Sequence, residues 1–204
     1  MKIKKTFCLL VFTITAHLSL AEIYYKINSL YALLGIINPA VEIPINKHSS
    51  FQVECVASPF LYFTEHQIKK PVHFFIFMNE YRYYTKEVNN KWYIGGNFSL
   101  MGFNMYKPKL LEEFKFQLDP YRRSRGYGFM TGLSVGYAYK WKKNWTIDSY
   151  FGWAYMLSWY NGYRTDGSII MDPHGHEHYV HEDPWNASAE WYPNKVGVSI
   201  AYSF

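Results

Sequence analysis

The last ten residues of the chain alternate strictly between two kinds of side chain. In an extended strand, large apolar residues would occupy one face and small or polar residues the other: Val196, Val198, Ile200, Tyr202 and Phe204 against Lys195, Gly197, Ser199, Ala201 and Ser203. A period of two residues predicts a β-strand. This division of faces suits a closed barrel surrounded by lipid. An ordinary edge strand would alternate in the same way, so the remainder of the chain has to decide.

The aromatic content favours the lipid-facing barrel. Aromatic residues make up 21% of the 204 residues, with 20 Tyr and 7 Trp, which is roughly twice the share usual in a soluble protein. A barrel can place such rings on its outer wall and at both membrane interfaces. Beyond the first 21 residues no segment holds 18 consecutive apolar residues, so helical membrane spans are excluded. The net charge of +5 is modest, and without a basic helix or an RNA-type aromatic motif, nucleic acid is not an expected partner.

The first 21 residues are predicted to be a secretory signal peptide. Three lysines precede a largely apolar stretch from Thr6 to Leu20, and Ser19-Leu20-Ala21 offers small residues at the positions that a signal peptidase inspects. Cleavage before Glu22 would leave one domain, residues 22–204. This mature chain would keep a single cysteine, Cys55, so no internal disulfide is expected.

Eight segments of alternating or apolar residues predict strands, separated by turn residues. They are residues 27–34, 40–46, 50–63, 72–85, 91–106, 126–141, 145–162 and 195–204. Short connections at 46–49, 86–90 and 142–144 alternate with longer ones at 64–71, 107–125 and 163–194. Outer-membrane barrels join their strands in this way, with short periplasmic turns and longer outer loops. An even number of strands returns both chain ends to the periplasm. We therefore expect an all-β fold, an eight-stranded antiparallel transmembrane barrel in the bacterial outer membrane.

The same alternation predicts a charged interior. In 127–141 and 145–159 one face is bulky and the other is small, and the small face suits the crowded inside of an eight-stranded barrel. When the same assignment of inward and outward positions is applied to the other strands, seven charged residues are predicted to lie inside: Glu42, Glu54, Glu80, Arg82, Lys140, Asp148 and Lys195. Unpaired charges in a narrow interior are costly, so we expect these residues to form ion pairs between strands. The alternative is that some of them face a solvated periplasmic vestibule.

Several short motifs recur in one known family. They are Asn28-Ser-Leu-Tyr31, Asn38-Pro-Ala-Val-Glu42, Glu80-Tyr-Arg-Tyr-Tyr84, Lys91-Trp-Tyr-Ile-Gly-Gly96, Arg122-Arg123 with Gly126, the segment 132–141, and Pro193-Asn-Lys-Val-Gly-Val-Ser-Ile200. Together they resemble the Bacteroidetes outer-membrane barrel family that is catalogued as a domain of unknown function. The resemblance implies a small outer-membrane barrel without catalytic residues. Some members are encoded near fimbrial assembly proteins, which implies fimbrial or other surface proteins as partners.

The C-terminal strand has a second resemblance. Its pattern of a polar residue, glycine and alternating apolar residues up to the final Phe204 is similar to the signal that the outer-membrane barrel assembly machinery reads. That resemblance implies the assembly machinery as a partner of the strand that ends at Phe204.

Four histidines in a loop form the only candidate metal site. His174, His176, His178 and His181 lie close together, and the first three would share one face of an extended strand. Imidazole is a common ligand of zinc, copper and nickel. The segment contains no thiol, however, and Gly175 makes its backbone pliable. We therefore favour a solvated outer loop and expect no cofactor.

The two longest outer loops differ in charge. Segment 107–125 is net positive and segment 163–194 is net negative, so the loops could attract each other above the barrel. The basic loop could instead bind lipopolysaccharide phosphates, which adds outer-membrane lipid and lipopolysaccharide to the expected partners.

Catalysis has little support in the sequence. Lipid acylases and deacylases of the outer membrane need a Ser or His nucleophile system, and Ser158 and His174 are the nearest candidates, without a motif that joins them. We expect a non-enzymatic role in structure, surface binding or fimbrial assembly. A lipid A-modifying enzyme and a narrow pore are the alternatives, and a soluble lipocalin-like barrel would need the opposite arrangement of faces.

Overall fold

The computed structural model describes residues 22–65, 68–106, 123–163, 169–170 and 186–204. These residues form ten strands and one short helix. In chain order the elements are β1 (Tyr24–Asn28), α1 (Ser29–Leu33), β2 (Pro39–Pro44), β3 (Ser49–Ala57), β4 (Tyr62–Glu65), β5 (Ile68–Tyr84), β6 (Lys91–Tyr106), β7 (Arg123–Lys142), β8 (Trp145–Tyr163), β9 (Ile169–Ile170) and β10 (Asn186–Ser203). The predicted signal peptide, residues 1–21, lies outside the described residues.

Eight of the strands form a ring-like antiparallel sheet. The order β10-β1-β2-β3-β5-β6-β7-β8 closes because β10 pairs with β1 on one side and with β8 on the other. The two remaining strands extend the sheet locally, since β4 pairs with β5 and β9 pairs with β8. The predicted all-β class and the count of eight antiparallel strands are confirmed. Among the described residues, no helix is long and apolar enough to cross a membrane.

The short turns and both described chain ends lie at one end of the ring, called here the turn end. The Tyr84 amide donates to the His48 carbonyl oxygen at 2.7 Å, which joins the β2–β3 turn to the β5–β6 turn. The Ser203 amide donates to the Asn144 carbonyl oxygen at 3.0 Å, and the Ser203 hydroxyl donates to Glu22. The opposite end, called the loop end, carries α1, β4 and β9.

The first predicted strand, 27–34, is wrong over most of its length. The strand occupies Tyr24–Asn28 and is followed by helix α1. The Asn28 side-chain oxygen accepts hydrogen bonds from the Leu30 and Tyr31 amides at 3.0 and 3.3 Å, which caps the N-terminus of the helix. Gly35, with a φ of +71°, ends it in the left-handed conformation that suits a residue without Cβ. The apolar run 29–34 therefore reflects exposed helical positions and not a strand.

The third predicted strand, 50–63, is interrupted, and the connection predicted at 64–71 is largely strand. Strand β3 ends at Ala57, and β4 begins at Tyr62 along the same edge of β5. Between them the Ser58 amide donates to the Phe74 carbonyl oxygen at 2.9 Å, and the Val72 amide to the Leu61 carbonyl oxygen at 2.9 Å. The polar residues of this segment predicted a loop, but Ile68–Tyr84 is one continuous strand.

The last strand is also longer than predicted. The expected connection 163–194 contains β9, and β10 already begins at Asn186. The register of β10 against β8 shifts between Tyr192 and Lys195. Such a bulge reverses which alternate positions face inward. The two-residue period is therefore broken at Pro193, and the period that predicts the strand after Pro193 does not continue before it. Strand β7 likewise begins at Arg123 instead of residue 126.

Two neighbouring glycines on β6 show how sharply the two faces of the wall differ. A Cβ on Gly95 would meet the Ser134 hydroxyl and the Glu80 carboxylate inside the ring. A Cβ on Gly96 would have no atom within 4 Å. The interior is therefore filled to the backbone at this level, while the outward face is open.

We expect Gly95→Val to destabilise the fold and Gly96→Val to leave it nearly unchanged. Valine at 95 overfills the interior and displaces the hydrogen bond from Ser134 to Glu80, for a loss of about 1–3 kcal/mol. Valine at 96 should stay within about 0.5 kcal/mol of the wild type. Urea unfolding followed by tryptophan fluorescence measures both variants. Equal midpoints for the two variants would contradict the assignment of inward and outward faces.

Candidate functional site

Seven charged side chains meet inside the ring near the turn end. We call them the interior charge cluster: Lys26, Glu42, Glu54, Glu80, Arg82, Asp148 and Lys195, each at most 3% exposed. They come from six strands, β1, β2, β3, β5, β8 and β10. Alternation places them because inward and outward positions follow each other along each strand. Six of the seven residues that the sequence predicted for the interior belong to this cluster.

Arg82 lies at the centre of the interior charge cluster. Its Nε donates to Glu80 Oε2 at 2.6 Å, and its Nη1 donates to Asp148 Oδ2 at 2.8 Å. The same Nη1 lies 3.4 Å from Glu42 Oε2. The guanidinium group also lies 4.5 Å from the centre of the Tyr93 ring, a distance at which the ring face stabilises a cation. A single guanidinium thus connects carboxylates of β2, β5 and β8.

Two lysines complete the cluster on either side of Arg82. Lys195 Nζ lies 2.8 Å from Glu54 Oε2 and 2.7 Å from Glu80 Oε2. Lys26 Nζ lies 2.8 Å from Asp148 Oδ2 and also forms an ion pair with Glu42. These contacts join β10 to β3 and β5, and β1 to β8 and β2. Every charged group of the cluster therefore has at least one partner of opposite sign.

Neutral side chains donate to the remaining carboxylate oxygens. Tyr84 donates to Glu42 at 2.6 Å, Tyr93 to Asp148 at 2.9 Å, Asn38 to Glu54 at 2.8 Å, Gln52 to Glu54 at 2.9 Å, and Ser50, Asn89 and Ser134 add further bonds. A buried ion pair offsets its desolvation cost only when such additional bonds satisfy the charged groups. The cluster is thus a dense, paired network that fills the ring, and no carboxylate in it is left free to act as a base.

The prediction that Lys140 belongs to the interior is wrong. Its ammonium group forms an ion pair with Glu87 at 3.2 Å beyond the turn end, and the two side chains are 38% and 43% exposed. Lys140 occupies the last inward position before β7 reaches the turn, so its long aliphatic stem carries the charge out to water. Hydrogen bonds from Asn90 and then from Lys140 lower the pKa of the Glu87 carboxyl group.

Lys26 is the cluster member that sequence reasoning missed. The first strand was predicted to begin at residue 27, so Lys26 lay outside every predicted strand. The signal was present, because Tyr24, Lys26 and Asn28 alternate with Tyr25 and Ile27. The first set is buried and the second exposed, as the polar Lys26 and Asn28 on either side of the apolar Ile27 would predict.

The other candidate residues are not assembled into a site by the described part of the chain. His174, His176, His178 and His181 lie outside the described residues. The Ser158 hydroxyl shares a hydrogen bond of 2.9 Å with the Ser188 hydroxyl, while its proposed partner His174 is also outside them. Within the described ranges, no group of three His, Cys, Asp or Glu residues could hold a metal ion.

We expect Asp148→Asn to be far more destabilising than Glu87→Gln. The first change removes the negative charge that pairs with the buried Lys26 and Arg82, and it should cost about 3–5 kcal/mol. The second removes an exposed ion pair, whose contribution is at most about 1 kcal/mol. Urea unfolding midpoints of the two isosteric variants give the comparison. Similar losses would show that the interior charges are solvated and not mutually paired.

Comparison with known proteins identifies the family. Residues 6–204 match the family described as "Protein of unknown function (DUF3575)". Neither the curated proteins nor the solved structures yield a match to this chain. The predicted resemblance is confirmed in so far as the matching family is one of unknown function. With almost its whole length covered by the match, the chain belongs to the family of unknown function DUF3575.

Proposed function

We propose that this protein is a non-enzymatic β-barrel of the bacterial outer membrane. In this proposal the strands span the bilayer, with the turn end in the periplasm and the loop end at the cell surface. The interior charge cluster closes the barrel. Its role is structural or surface-binding, with fimbrial or other surface proteins as the partners that the family resemblance suggests.

The observation that carries the proposal is the inverted polarity of the wall. No charged residue occurs at the outward positions between Phe75 and Tyr83 on β5 or between Tyr127 and Tyr139 on β7. The matching outward positions on the other described strands of the ring also carry no charge. Many of these side chains are large, apolar and exposed, including Tyr81, Ile94, Leu100, Leu133, Val135, Phe151, Trp153, Val196 and Ile200. A protein surrounded by water would hide this surface and expose the seven charges, whereas lipid favours the reverse.

The height of the apolar wall fits a bilayer. On β8 the outward positions from Ile147 to Leu157 lie ten residues apart, which is about 34 Å along a strand. A strand tilt of roughly 40° reduces that length to a height of about 26 Å, close to the ~25 Å band of outer-membrane barrels.

Aromatic side chains flank this wall at both ends. Trp92, Trp141 and Trp145 are exposed beside the turns, and Phe75, Tyr127 and Trp159 lie on one outward row near the loop end. Such belts are typical of membrane interfaces, where amphipathic rings contact both head groups and acyl chains. Tyr160, next to Trp159 on β8, faces inward, where its ring lies 6.4 Å from that of Phe103.

We expect Leu133→Arg to prevent or strongly weaken folding in lipid, and Tyr139→Arg on the same strand to be tolerated. Leu133 is 64% exposed in the middle of the wall, and Tyr139 is 54% exposed near the turn end. Arginine costs about 2–4 kcal/mol at a bilayer midplane and about 0–1 kcal/mol near the interface. The folded fraction in phospholipid vesicles, read from heat-modifiable gel mobility, measures both variants.

The same pair of variants distinguishes a protein folded in a membrane from one folded in water. In an aqueous protein, replacing an exposed leucine with arginine is close to neutral. A Leu133→Arg protein that folds as well as the wild type, or a wild-type chain recovered in the soluble fraction without heat-modifiable mobility, would refute the barrel proposal.

We expect the wild-type protein to be silent in planar bilayers, because paired side chains occupy the interior. The double variant Glu80→Ala with Arg82→Ala removes one acid and one base together and should introduce small conductance steps. Heat-modifiable mobility shows whether the double variant has folded. Wild-type conductance that persists unchanged in the folded double variant would mean that ions pass beside the cluster, and the protein would then be a narrow pore.

A further inference from the structure

Four polar side chains form a continuous row on the outward face at the loop end. His73 on β5 lies opposite Asn104 on β6, Asn104 lies opposite Arg125 on β7, and Arg125 lies opposite Asn161 on β8. We call these residues the polar row. They line a depression of about 830 Å³ in the wall, whose apolar lining includes Phe75, Phe103, Tyr127 and Tyr163.

The polar row holds hydrogen-bonding groups that the described residues do not satisfy. The Nε2 atom of His73 and the Oδ1 atom of Asn104 are buried without a hydrogen-bond partner. The Arg125 side chain is exposed and forms no ion pair with a described residue. A buried polar atom without a partner costs about 1–3 kcal/mol, and native proteins rarely leave adjacent ones unpaired. These open groups beside a depression indicate a place for a polar ligand.

The surroundings of the polar row indicate a negative charge on that ligand. Arg123, two residues before Arg125 on the same face, stacks its guanidinium group 5.2 Å from the Tyr163 ring, and its Nε atom is also buried without a partner. No acidic residue lies among the polar row or among the residues that line the depression. Guanidinium groups bind phosphate oxygens strongly, often through two parallel hydrogen bonds.

The position of the polar row indicates a lipid. The next outward row toward the turn end is Phe75, Gly102, Tyr127 and Trp159, with the Tyr127 and Trp159 rings stacked at 5.8 Å. In the barrel proposal this aromatic row marks the outer membrane interface, so the polar row lies at head-group level. A bound lipid would place its phosphate on the polar row and its acyl chains along the aromatic and apolar wall.

We propose that the polar row binds the phosphate group of an outer-leaflet glycolipid. Arg125 is the charged ligand, the Nδ2 groups of Asn104 and Asn161 donate to phosphate oxygens, and the open Asn104 Oδ1 accepts from a sugar hydroxyl. This inference rests on the proposed function, because it requires the loop end to reach the outer leaflet. It assigns lipid binding to the wall of the barrel. Arg125, which the sequence placed in the basic loop 107–125, lies there on strand β7.

The test uses the full chain folded in detergent micelles and lipid A as the probe. Native mass spectrometry counts the lipid molecules retained by the wild type, by Arg125→Ala and by Lys142→Ala. Lys142 is the control because it is an exposed cation near Trp141 at the opposite end of the same strand. We expect Arg125→Ala to lower the affinity roughly tenfold, since a charge-assisted bond is lost, and Lys142→Ala to retain the wild-type affinity. Arg125→Lys should fall between the two because it keeps the charge without the guanidinium fork.

Lipid A from which the phosphates have been removed should bind weakly to the wild type, and millimolar inorganic phosphate should not displace phosphorylated lipid A. Equal binding of the phosphorylated and dephosphorylated lipids, displacement by inorganic phosphate, or equal losses in Arg125→Ala and Lys142→Ala would each overturn the inference. Heat-modifiable mobility separates this inference from the barrel proposal. A heat-modifiable wild type that retains no lipid A overturns the lipid site alone, whereas a chain that does not fold in membranes overturns both.

Discussion

The pairing of charges around Arg82 is the interaction on which the rest of the structure depends. Neighbouring strands of the ring are joined by backbone hydrogen bonds, but the cluster joins strands that are not neighbours. Lys195 on β10 reaches Glu80 on β5, and Lys26 on β1 reaches Asp148 on β8. A narrow interior cannot hold seven charges unless each finds a partner, so the ring closes in the register that brings these groups together. The cluster therefore contributes to the specificity of closure in addition to filling the interior.

A charged interior and an apolar wall are two consequences of one alternating pattern. Every inward position taken by a charge or a small residue leaves its neighbours pointing outward, where β5 to β8 present rings and branched side chains. The interior itself changes along the axis. Near the loop end its inward positions are mostly apolar, with Met78, Met101, Met130 and Met156 in place of ions. Charged groups are thus concentrated at the turn end of the interior, whereas Lys70 and Arg125 lie farther toward the loop end.

The long strands could be predicted from the sequence, and the irregular ones could not. Alternation in 127–141 and 145–159 is uninterrupted, so the faces of β7 and β8 follow from the residue order alone. The short strand β1 contains too few alternating residues to fix its ends. The predicted strand therefore begins after Lys26 and runs on into α1. At Lys140 the phase was correct but the side chain is long enough to reach water, so position alone did not determine burial. The polar row was invisible to sequence reasoning, because its four members are far apart in the chain and only the register makes them neighbours.

Helix α1 follows from the shortness of the first strand. Among the described residues, β1 pairs with β10 only from Ser199 to Ser203, which leaves the loop-end half of β10 with an unpaired edge in an apolar setting. Unpaired carbonyl groups are costly there. The Ser29 hydroxyl donates to the Val198 carbonyl oxygen at 2.7 Å. The side-chain Nδ2 group of Asn28 donates to the Val196 carbonyl oxygen at 3.2 Å. A Cβ on Gly197 would occupy the place of the Asn28 side chain, so the absence of a side chain at 197 is what lets this asparagine satisfy the edge and cap the helix at once. Leu33 at the end of α1 and the capping residue Leu34 are exposed, so the helix adds apolar surface where the short strand leaves a gap.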